Sequence, residues 1–235
     1  MTASSAHVTC PQIKICGLTR PDEAEACADA GADAIGLVFY PPSPRSLTAE
    51  AAARITRVLP DRVCPVGVFV NETHDTVMAI AATAGLRAVQ LHGQETPSLV
   101  ERLRSGGLVV IKALFFNGRP GFAAADRYAA ASAYLLECMG GPLPGGNALA
   151  WNWSAASSLS TEHPVILAGG LNPDNVNAAI ADARPDAVDV SSGVENEPGR
   201  KDIARVAALA RAIARTRIGR SPRPIFTPGG CRPRE

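Results

Sequence analysis

The chain has 235 residues, of which 46% are hydrophobic and 19% charged, with 23 lysines and arginines against 22 acidic residues. This composition is typical of a soluble globular protein and excludes a disordered or fibrous one. The near-neutral charge and the few aromatic residues argue against nucleic acid as a partner. The sequence shows no apolar run long enough to cross a membrane and no secretory signal at its start, so we expect a cytoplasmic protein with no membrane partner.

Eight short runs rich in Val, Ile and Leu recur along the chain, separated by longer segments in which alanine alternates with charged residues. The runs begin near Gln12, Asp33, Cys64, Arg87, Leu108, Ser132, Pro164 and Asp186. Each interval leaves room for a strand, a helix of about ten residues and two short loops. Eight such units without a break in composition predict an α/β fold with a single closed (β/α)8 TIM barrel, although a doubly wound open sheet would give the same alternation.

Apolar residues at helical spacing indicate where several of the intervening helices lie. They recur within residues 47–58, 77–84, 176–183 and 203–213. We expect Thr19 to cap the first helix and Asn172 to cap the helix after the seventh strand, with Pro21 and Pro173 in the first turns. The weakest helical pattern is the fifth, around residues 122–130.

Two stretches fall outside the repeat. Residues 138–152 are rich in glycine and proline and are long for a loop after a strand, which predicts a lid, with a passive loop as the alternative. Residues 216–235, rich in Pro, Gly and Arg, are expected to be a disordered tail. The predicted organisation is therefore an N-terminal extension over residues 1–11, a barrel over residues 12–215 and this tail.

Polar side chains alternate with apolar ones in five of the predicted strands. Because strand residues alternate between faces, the apolar residues can face the helices while the polar ones face the barrel interior. By this parity the inward residues are Lys14, Cys16, Gln90, His92, Lys112, Glu137 and Asp189, with Ile111 facing outward. Each residue alone is more often a core or ion-pair residue, but so many buried polar groups would be costly without a ligand. We therefore expect a site at the carboxyl ends of the strands.

Small residues follow the last two predicted strands. Gly169 and Gly170 come before the expected helix start, and Ser191, Ser192 and Gly193 follow the eighth strand. Glycine lets backbone N–H groups approach an anion, and a helix N-terminus adds partial positive charge. Because the loops after strands seven and eight form the usual phosphate site of such barrels, we expect a small phosphorylated ligand.

A series of motifs in unbroken order carries a family resemblance. They are Lys14-Ile-Cys-Gly-Leu-Thr19, Ser43-Pro-Arg45, Gln90-Leu-His-Gly93, Ile111-Lys-Ala113, Ile166-Leu-Ala-Gly-Gly-Leu-Asn-Pro173 and Asp189-Val-Ser-Ser-Gly-Val-Glu195, followed by Lys201-Asp202. From about Gln12 to Arg215 the chain resembles the phosphoribosylanthranilate isomerases of tryptophan biosynthesis.

The resemblance implies an Amadori rearrangement of N-(5-phospho-β-D-ribosyl)anthranilate, carried out without metal or cofactor by a monomer or homodimer. By similarity Cys16 is the general base and Arg45 holds the anthranilate carboxylate. Lys14, His92 and Asp189 are expected to contact the substrate. The phosphate is expected at Gly169, Gly170, Ser191, Ser192 and Gly193.

The chain departs from the family at the general acid, where the family commonly has Asp and this chain has Glu137. We expect Glu137 to replace it, together with a reshaped loop, because a catalytic group misplaced by an ångström costs on the order of 100-fold in rate. The chemistry needs a protonated Glu137 and an ionised thiol at Cys16. We expect Lys14, Lys112 or the helix start at Thr19 to lower the pKa of Cys16.

Two other readings are open at this point. The first is a different phosphosugar barrel, such as a pentulose-phosphate epimerase or an indole-glycerol-phosphate synthase. The second is an inactive barrel retained as a binding subunit, which would bind ligand without turnover. The sequence does not decide the oligomeric state or whether a histidine-pathway analogue is also accepted.

Overall fold

The computed structural model describes residues 10–139, 150–216 and 218–226, and its centre is a closed parallel barrel. Its strands are β1 Gln12–Cys16, β2 Ala34–Phe39, β3 Cys64–Phe69, β4 Ala88–Leu91, β5 Val109–Phe115, β6 Ala133–Glu137, β7 Val165–Leu167 and β8 Ala187–Val190. Neighbouring strands pair in parallel and β8 closes onto β1. The barrel prediction is confirmed, the open sheet is excluded, and each strand begins within one residue of its expected start.

Helices on the outside of the barrel connect the strands. They are α1 Pro21–Asp29, α2 Ala49–Thr56, α3 His74–Ala84, α4 Pro97–Ser105, α5 Ser157–Glu162, α6 Val176–Ala183 and α7 Ile203–Ala214. The weak fifth segment is a 3-10 helix over Phe122–Tyr128. After β8 the chain forms a short antiparallel hairpin, β9 Glu195–Glu197 and β10 Arg200–Lys201, before it enters α7.

The predicted cap of the first helix is wrong. Pro21 does open α1, but the N-cap position belongs to Arg20, whose side chain makes no capping bond. The Thr19 hydroxyl donates to the carbonyl of Gly199 instead, at 2.7 Å. Thr19 therefore ties the loop after β1 to the hairpin after β8.

The predicted start of the helix after β7 is also wrong. Helix α6 begins at Val176 with Asn175 at the N-cap. Asn172 lies in the preceding turn, where its side-chain oxygen accepts from the backbone N–H groups of Asp174 and Asn175. Pro173 therefore precedes the helix, because the Asn172 side chain stabilises a turn rather than a helix start.

Two apolar layers separate the inside of the barrel from the helices. The outer layer contains Val110, Leu114, Leu136 and Val188 together with residues of the helices. The inner layer contains Val109, Ile111, Ala113, Leu135 and Ile166. The expected parity is wrong in β5, where Ile111 faces inward and Lys112 faces the helices, since Lys112 alternates with Ile111 along the strand.

The chain from 218 to 226 differs from the expected disordered tail. Arg220 and Arg223 both pair with Asp186, which is fully buried directly before β8, at 2.6 and 2.7 Å. Burial of a carboxylate is costly unless it is paired, and these two arginines supply the partners. The segment is therefore anchored by charge to the amino end of the barrel.

The apolar residues that follow close the amino end of the barrel. Ile225 and Phe226 join the inner layer beside Ala34 and Ala187, which start β2 and β8. Their backbone N–H groups both donate to the Gln12 side-chain oxygen. The Pro-rich composition of residues 216–235 could not predict this closure of the barrel, because the closure depends on tertiary contacts of a few residues.

Two further sequence expectations concern the remaining chain. Most of the expected lid, residues 140–149, lies outside the described residues, as do residues 1–9, 217 and 227–235. Within the described ranges, no helix is long and apolar enough to cross a membrane.

Candidate active site

A pocket opens at the carboxyl ends of the strands and gathers most of the predicted site residues. Those in its lining are Cys16, Arg45, His92, Glu137, Gly169, Gly170, Asp189, Ser191, Ser192 and Gly193. Lys14 is fully buried below the pocket, where its ammonium group bonds both oxygens of Asp189 at 2.9 Å. Six strands and the loops that follow them thus bring together residues that are far apart in sequence.

Cys16 ends β1 and lies against Gly36, its register partner on β2. A Cβ at position 36 would lie 2.6 Å from the Cys16 sulfur and 3.0 Å from the Lys14 ammonium nitrogen. Glycine at this strand position therefore leaves the space that the thiol and the ammonium group occupy. Asp189 and Cys16 raise the pKa of Lys14 despite the opposing effect of burial, so Lys14 stays cationic beside the thiol.

The pKa of Cys16 is raised in this structure, contrary to the expected lowering. Burial is the main cause, and the cations of Lys14 and Lys201 only partly offset it. Lys112, expected to help, instead pairs with the buried Glu95 at 2.9 Å on the outer side of the barrel. Position in sequence could not reveal Lys201 as a contributor, because it reaches the site from the hairpin after β8.

Glu137 ends β6 and enters the pocket beside His92. Their nearest atoms, Oε2 and Nε2, are 3.3 Å apart, close enough for an ion pair but without the alignment of a hydrogen bond. Gln90 Nε2 lies 2.9 Å from the other ring nitrogen of His92. Among the described residues, Gln90 Oε1 and His92 Nε2 are buried without a hydrogen bond. Unsatisfied buried polar atoms are costly, so both suit contacts with a polar ligand.

Arg45 is held in a buried ion cluster at the rim of the pocket. Its Nε and Nη2 atoms bond the two carboxylate oxygens of Glu195 at 2.9 and 2.6 Å. Lys201 bonds the same carboxylate at 2.6 Å. Burial raises the pKa of Glu195, but the hydrogen bond from Arg45 and the charge of Lys201 outweigh it, so the pKa is lowered. Sequence reasoning did not select Glu195, the partner of Arg45, or Lys201, the second cation on the same carboxylate.

The loops after β7 and β8 meet at the other side of the pocket. Gly169 and Gly170 have positive φ angles of 88° and 67°. At Gly193 a side chain would collide with the carbonyl of Leu171, so glycine lets these two loops approach. The Trp151 indole donates to the carbonyl of Ala168 at 2.9 Å. Two loops with close backbone approach can present N–H groups to an anion.

An apolar wall completes the pocket. Val38 and Val68 pack with Cys16, and Tyr40 packs against this cluster. All three apolar or aromatic side chains line the pocket. Sequence reasoning did not select them because inward valines in a barrel strand have the same pattern whether they fill the core or face a ligand.

Comparison with known proteins places this architecture in a family. Residues 13–212 match the family model described as N-(5′-phosphoribosyl)anthranilate (PRA) isomerase. An N-(5′-phosphoribosyl)anthranilate isomerase of Desulfatibacillum aliphaticivorans is 50% identical over 216 residues, covering 92% of this chain and 99% of that protein. The enzyme of the same name from Syntrophus aciditrophicus is 43% identical over 204 residues and 87% of both chains.

Solved structures agree with this comparison. The phosphoribosyl anthranilate isomerase of Thermotoga maritima is similar with a TM-score of 0.79 and 38% identity, over 86% of this chain and 98% of that one. A structure of phosphoribosyl anthranilate isomerase in complex with reduced 1-(o-carboxyphenylamino)-1-deoxyribulose 5-phosphate has a TM-score of 0.77 and 37% identity, with the same coverage.

Proposed function

The chain belongs to the N-(5′-phosphoribosyl)anthranilate isomerase family, and we propose that its pocket catalyses the Amadori rearrangement of N-(5-phospho-β-D-ribosyl)anthranilate to 1-(2-carboxyphenylamino)-1-deoxyribulose 5-phosphate. This is an aldose-to-ketose isomerisation, an intramolecular oxidoreduction, in the synthesis of tryptophan. The observation that carries the proposal is that a thiol, Cys16, and a carboxyl group, Glu137, share one pocket with an arginine and two glycine loops.

Glu137 is the proposed general acid for the first step. Protonation of the furanose ring oxygen breaks the bond between that oxygen and C1′ and leaves a Schiff base with the anthranilate nitrogen. Glu137 is the carboxyl group at the end of β6 and is only 8% exposed. A general acid must lie within reach of the atom that it protonates, and Glu137 lines the pocket beside His92.

Cys16 is the proposed general base for the second step. It takes the proton from C2′ of the Schiff base, the electron pair moves to form the enolamine, and tautomerisation gives the ketose. Its thiol lies next to the Lys14 ammonium, which favours the thiolate electrostatically. Lys14, below the pocket, and Asp189, in its lining, form a buried pair that fixes the charge around the sulfur.

The proposed substrate contacts divide the pocket by chemistry. The anthranilate ring lies against Val38, Val68 and Tyr40, and Arg45 binds its carboxylate. His92 makes a hydrogen bond to the sugar through Nε2, the ring nitrogen that has no hydrogen-bond partner among the described residues.

The phosphate is assigned to the opposite side of the pocket. Gly169, Gly170, Ser191, Ser192 and Gly193 supply backbone and hydroxyl donors from the loops after β7 and β8. We further propose a cytoplasmic enzyme that works as a monomer or homodimer. A Thermotoga maritima relative with 37% identity is described as dimeric.

The test is turnover of phosphoribosylanthranilate, generated in situ and followed by loss of its fluorescence. We expect turnover by the wild type and a loss of several orders of magnitude, about 1,000-fold or more, in Cys16→Ala and in Glu137→Gln. Cys27→Ala is the matched control, since Cys27 is fully buried in α1 outside the pocket lining and should leave turnover intact. Binding of the reduced product without any turnover by the wild type would favour the inactive barrel.

A further inference from the structure

We propose that Glu195 is a positioning residue that aims Arg45 at the substrate carboxylate and thereby sets the preference for a carboxylated aromatic amine. This inference rests on the proposed function, because it requires Arg45 to bind that carboxylate. Glu195 lies beyond the eighth strand, in the hairpin that precedes α7. It touches no substrate in this proposal and acts through the guanidinium group.

The geometry leaves one side of the guanidinium for a ligand. Glu195 takes the Nε and Nη2 donors of Arg45 in a bidentate contact. Among the described residues, Arg45 Nη1 has no hydrogen-bond partner, and Arg45 lines the pocket. A planar guanidinium with one edge fixed presents its remaining donors in a single direction, which suits a second bidentate or charge-assisted contact.

Glu195 is itself fixed from several directions. Its Oε1 atom accepts from the Lys201 ammonium at 2.6 Å and from the Gly199 backbone N–H at 3.2 Å. The Arg205 guanidinium donates to the Glu195 carbonyl at 3.1 Å. Side-chain and backbone donors together fix the Glu195 carboxylate in one position. That carboxylate in turn fixes the orientation of the Arg45 guanidinium.

The hairpin that carries Glu195 is also tied to the outer helices. The backbone N–H of Lys201 donates to Glu23 of α1 at 2.9 Å, and Arg200 pairs with the same carboxylate at 2.7 Å. Asp202, the next residue, caps α7. The backbone bond of Lys201 and the cap at Asp202 therefore hold the hairpin, and through Glu195 the position of Arg45, whereas the half-exposed pair of Arg200 contributes little.

The charges of the cluster leave room for one more anion. Arg45 and Lys201 contribute two positive charges and Glu195 one negative charge, all of them buried. Paired buried charges are stable only when they are balanced and hydrogen-bonded. The excess of one positive charge next to the pocket matches the single carboxylate of an anthranilate group.

Two substitutions of Glu195 separate positioning of Arg45 from simple neutralisation of its charge, because the two roles predict different results. In Glu195→Gln the negative charge is lost and the shape is kept. If Glu195 only neutralises Arg45, the more positive site should bind a carboxylate more tightly. In Glu195→Asp the charge is kept but the carboxylate is drawn back by a methylene, so neutralisation alone predicts no change.

The experiment measures the affinity of two probes by calorimetry. The first is reduced 1-(2-carboxyphenylamino)-1-deoxyribulose 5-phosphate, and the second is the same compound made from aniline, which lacks the carboxylate. We expect the wild type to prefer the carboxylated probe, and both Glu195→Gln and Glu195→Asp to reduce this preference by about 10- to 100-fold. Affinity for the probe without a carboxylate should stay close to that of the wild type.

Arg200→Met is the matched control for damage to the hairpin. It removes the ion pair with Glu23 but none of the contacts to Arg45, and Arg200 is half exposed. We expect it to keep the wild-type preference. Circular dichroism and the melting temperature establish that each variant is folded at the temperature of measurement.

The outcomes separate the inference from the function on which it rests. A wild type that binds neither probe, or binds both equally, overturns the carboxylate role of Arg45 and the inference together. A wild type that prefers the carboxylated probe, with the preference kept or increased in Glu195→Gln and unchanged in Glu195→Asp, overturns the positioning role alone.

Discussion

The thiol of Cys16 occupies the space that a side chain on Gly36 would need. The two residues are register partners on β1 and β2, and a Cβ at position 36 would lie 2.6 Å from the sulfur and 3.0 Å from the Cys16 Cα. The backbone of β2 cannot move away, because it is hydrogen-bonded to strands on both sides within the barrel. An added methyl group must therefore displace the sulfur or the Lys14 ammonium beside it.

We expect Gly36→Ala to lower kcat by about 100-fold, because a catalytic group displaced by about an ångström loses that much rate. KM should change less, since Arg45 and the loops proposed to bind the phosphate lie elsewhere in the pocket. Steady-state kinetics with phosphoribosylanthranilate measure both constants.

Gly67→Ala provides the control for crowding of the barrel. A Cβ at Gly67 would lie 2.5 Å from Leu86 and 2.7 Å from the Phe69 ring, both in the outer layer. It should lower the melting temperature while leaving kcat close to that of the wild type. Equal loss of kcat in the two variants would show that Gly36 has no special relation to the thiol.

The contrast between Gly36 and Cys16 shows what sequence reasoning can reach. The place of Cys16 in the pocket was predictable. It ends a strand, and it lies on the face of that strand that points into the barrel, where polar residues depart from the apolar pattern. Gly36 was not, because a glycine among Ala34–Phe39 carries no sign of the side chain on the neighbouring strand. Pairing between strands depends on register, which one sequence does not contain.

The acid at the end of β6 is the departure from the family pattern, and shortening it tests whether the site has adapted to Glu137. Glu137 Oε2 lies 3.3 Å from His92, and its Cγ lies close to Gly169. In Glu137→Asp the carboxyl group retreats from His92 by more than an ångström. We therefore expect kcat to fall by about 100-fold, with a smaller effect on KM.

The comparison that decides this prediction is Glu137→Gln, which keeps the length and removes the proton. It should lose more rate than Glu137→Asp, because no carboxyl group remains to act as an acid. Restored or increased activity in Glu137→Asp would mean that the pocket still suits the shorter family residue.

The raised pKa of Cys16 predicts the pH at which its thiolate forms. A general base must lose its proton, and burial raises the pKa of this thiol above its ordinary value of about 8.5. We expect the Cys16 thiolate to form with increasing pH and without a plateau below about pH 8.5, whereas turnover also depends on the proton of Glu137. Thiolate absorbance at 240 nm, with the spectrum of Cys16→Ser subtracted, should increase over the same range.

Removal of the Lys14 charge tests the direction in which that charge moves the pKa of Cys16. Its cation lowers the pKa of the thiol, so Lys14→Met should move the thiolate transition to higher pH. Thiolate that is already fully formed at pH 7 in the wild type would contradict the prediction. Such a result would require a stronger positive field at the sulfur than Lys14 and Lys201 supply.

Other parts of the site also divide into features that the sequence predicts and features that it does not predict. The place of the two glycine loops in the pocket was predictable because Gly169, Gly170 and Gly193 follow the last two strands of a recognisable repeat. The hold of Glu195 on Arg45 was not, because the two residues are 150 positions apart. The outward direction of Lys112 was misjudged, because Ile111 in β5 fits either face of a strand buried on both sides.

The segment that closes the amino end of the barrel should contribute to stability and not to catalysis. Phe226 is buried in the inner layer, at the opposite end from the pocket. We expect Phe226→Ala to lower the free energy of unfolding by about 3 kcal/mol, because a large buried side chain leaves a cavity. Chemical denaturation measures this change, and kcat should stay at the wild-type value.

The ion pairs between Asp186 and this segment make the stability of the fold depend on pH. The two arginine partners of Asp186 fix the sign of that dependence. Burial alone would raise the pKa of this carboxyl group, but its hydrogen bonds from Arg223 and Arg220 lower it overall. A lowered folded pKa means that the ion pairs stabilise the protein above the unfolded value of about 3.9. That contribution is lost as the pH falls through the lower, folded value. The melting temperature of Asp186→Asn should therefore lie well below that of the wild type at pH 7 and approach it in strong acid. A difference that is the same at pH 7 and in acid would show that Asp186 acts through its packing and not through its charge.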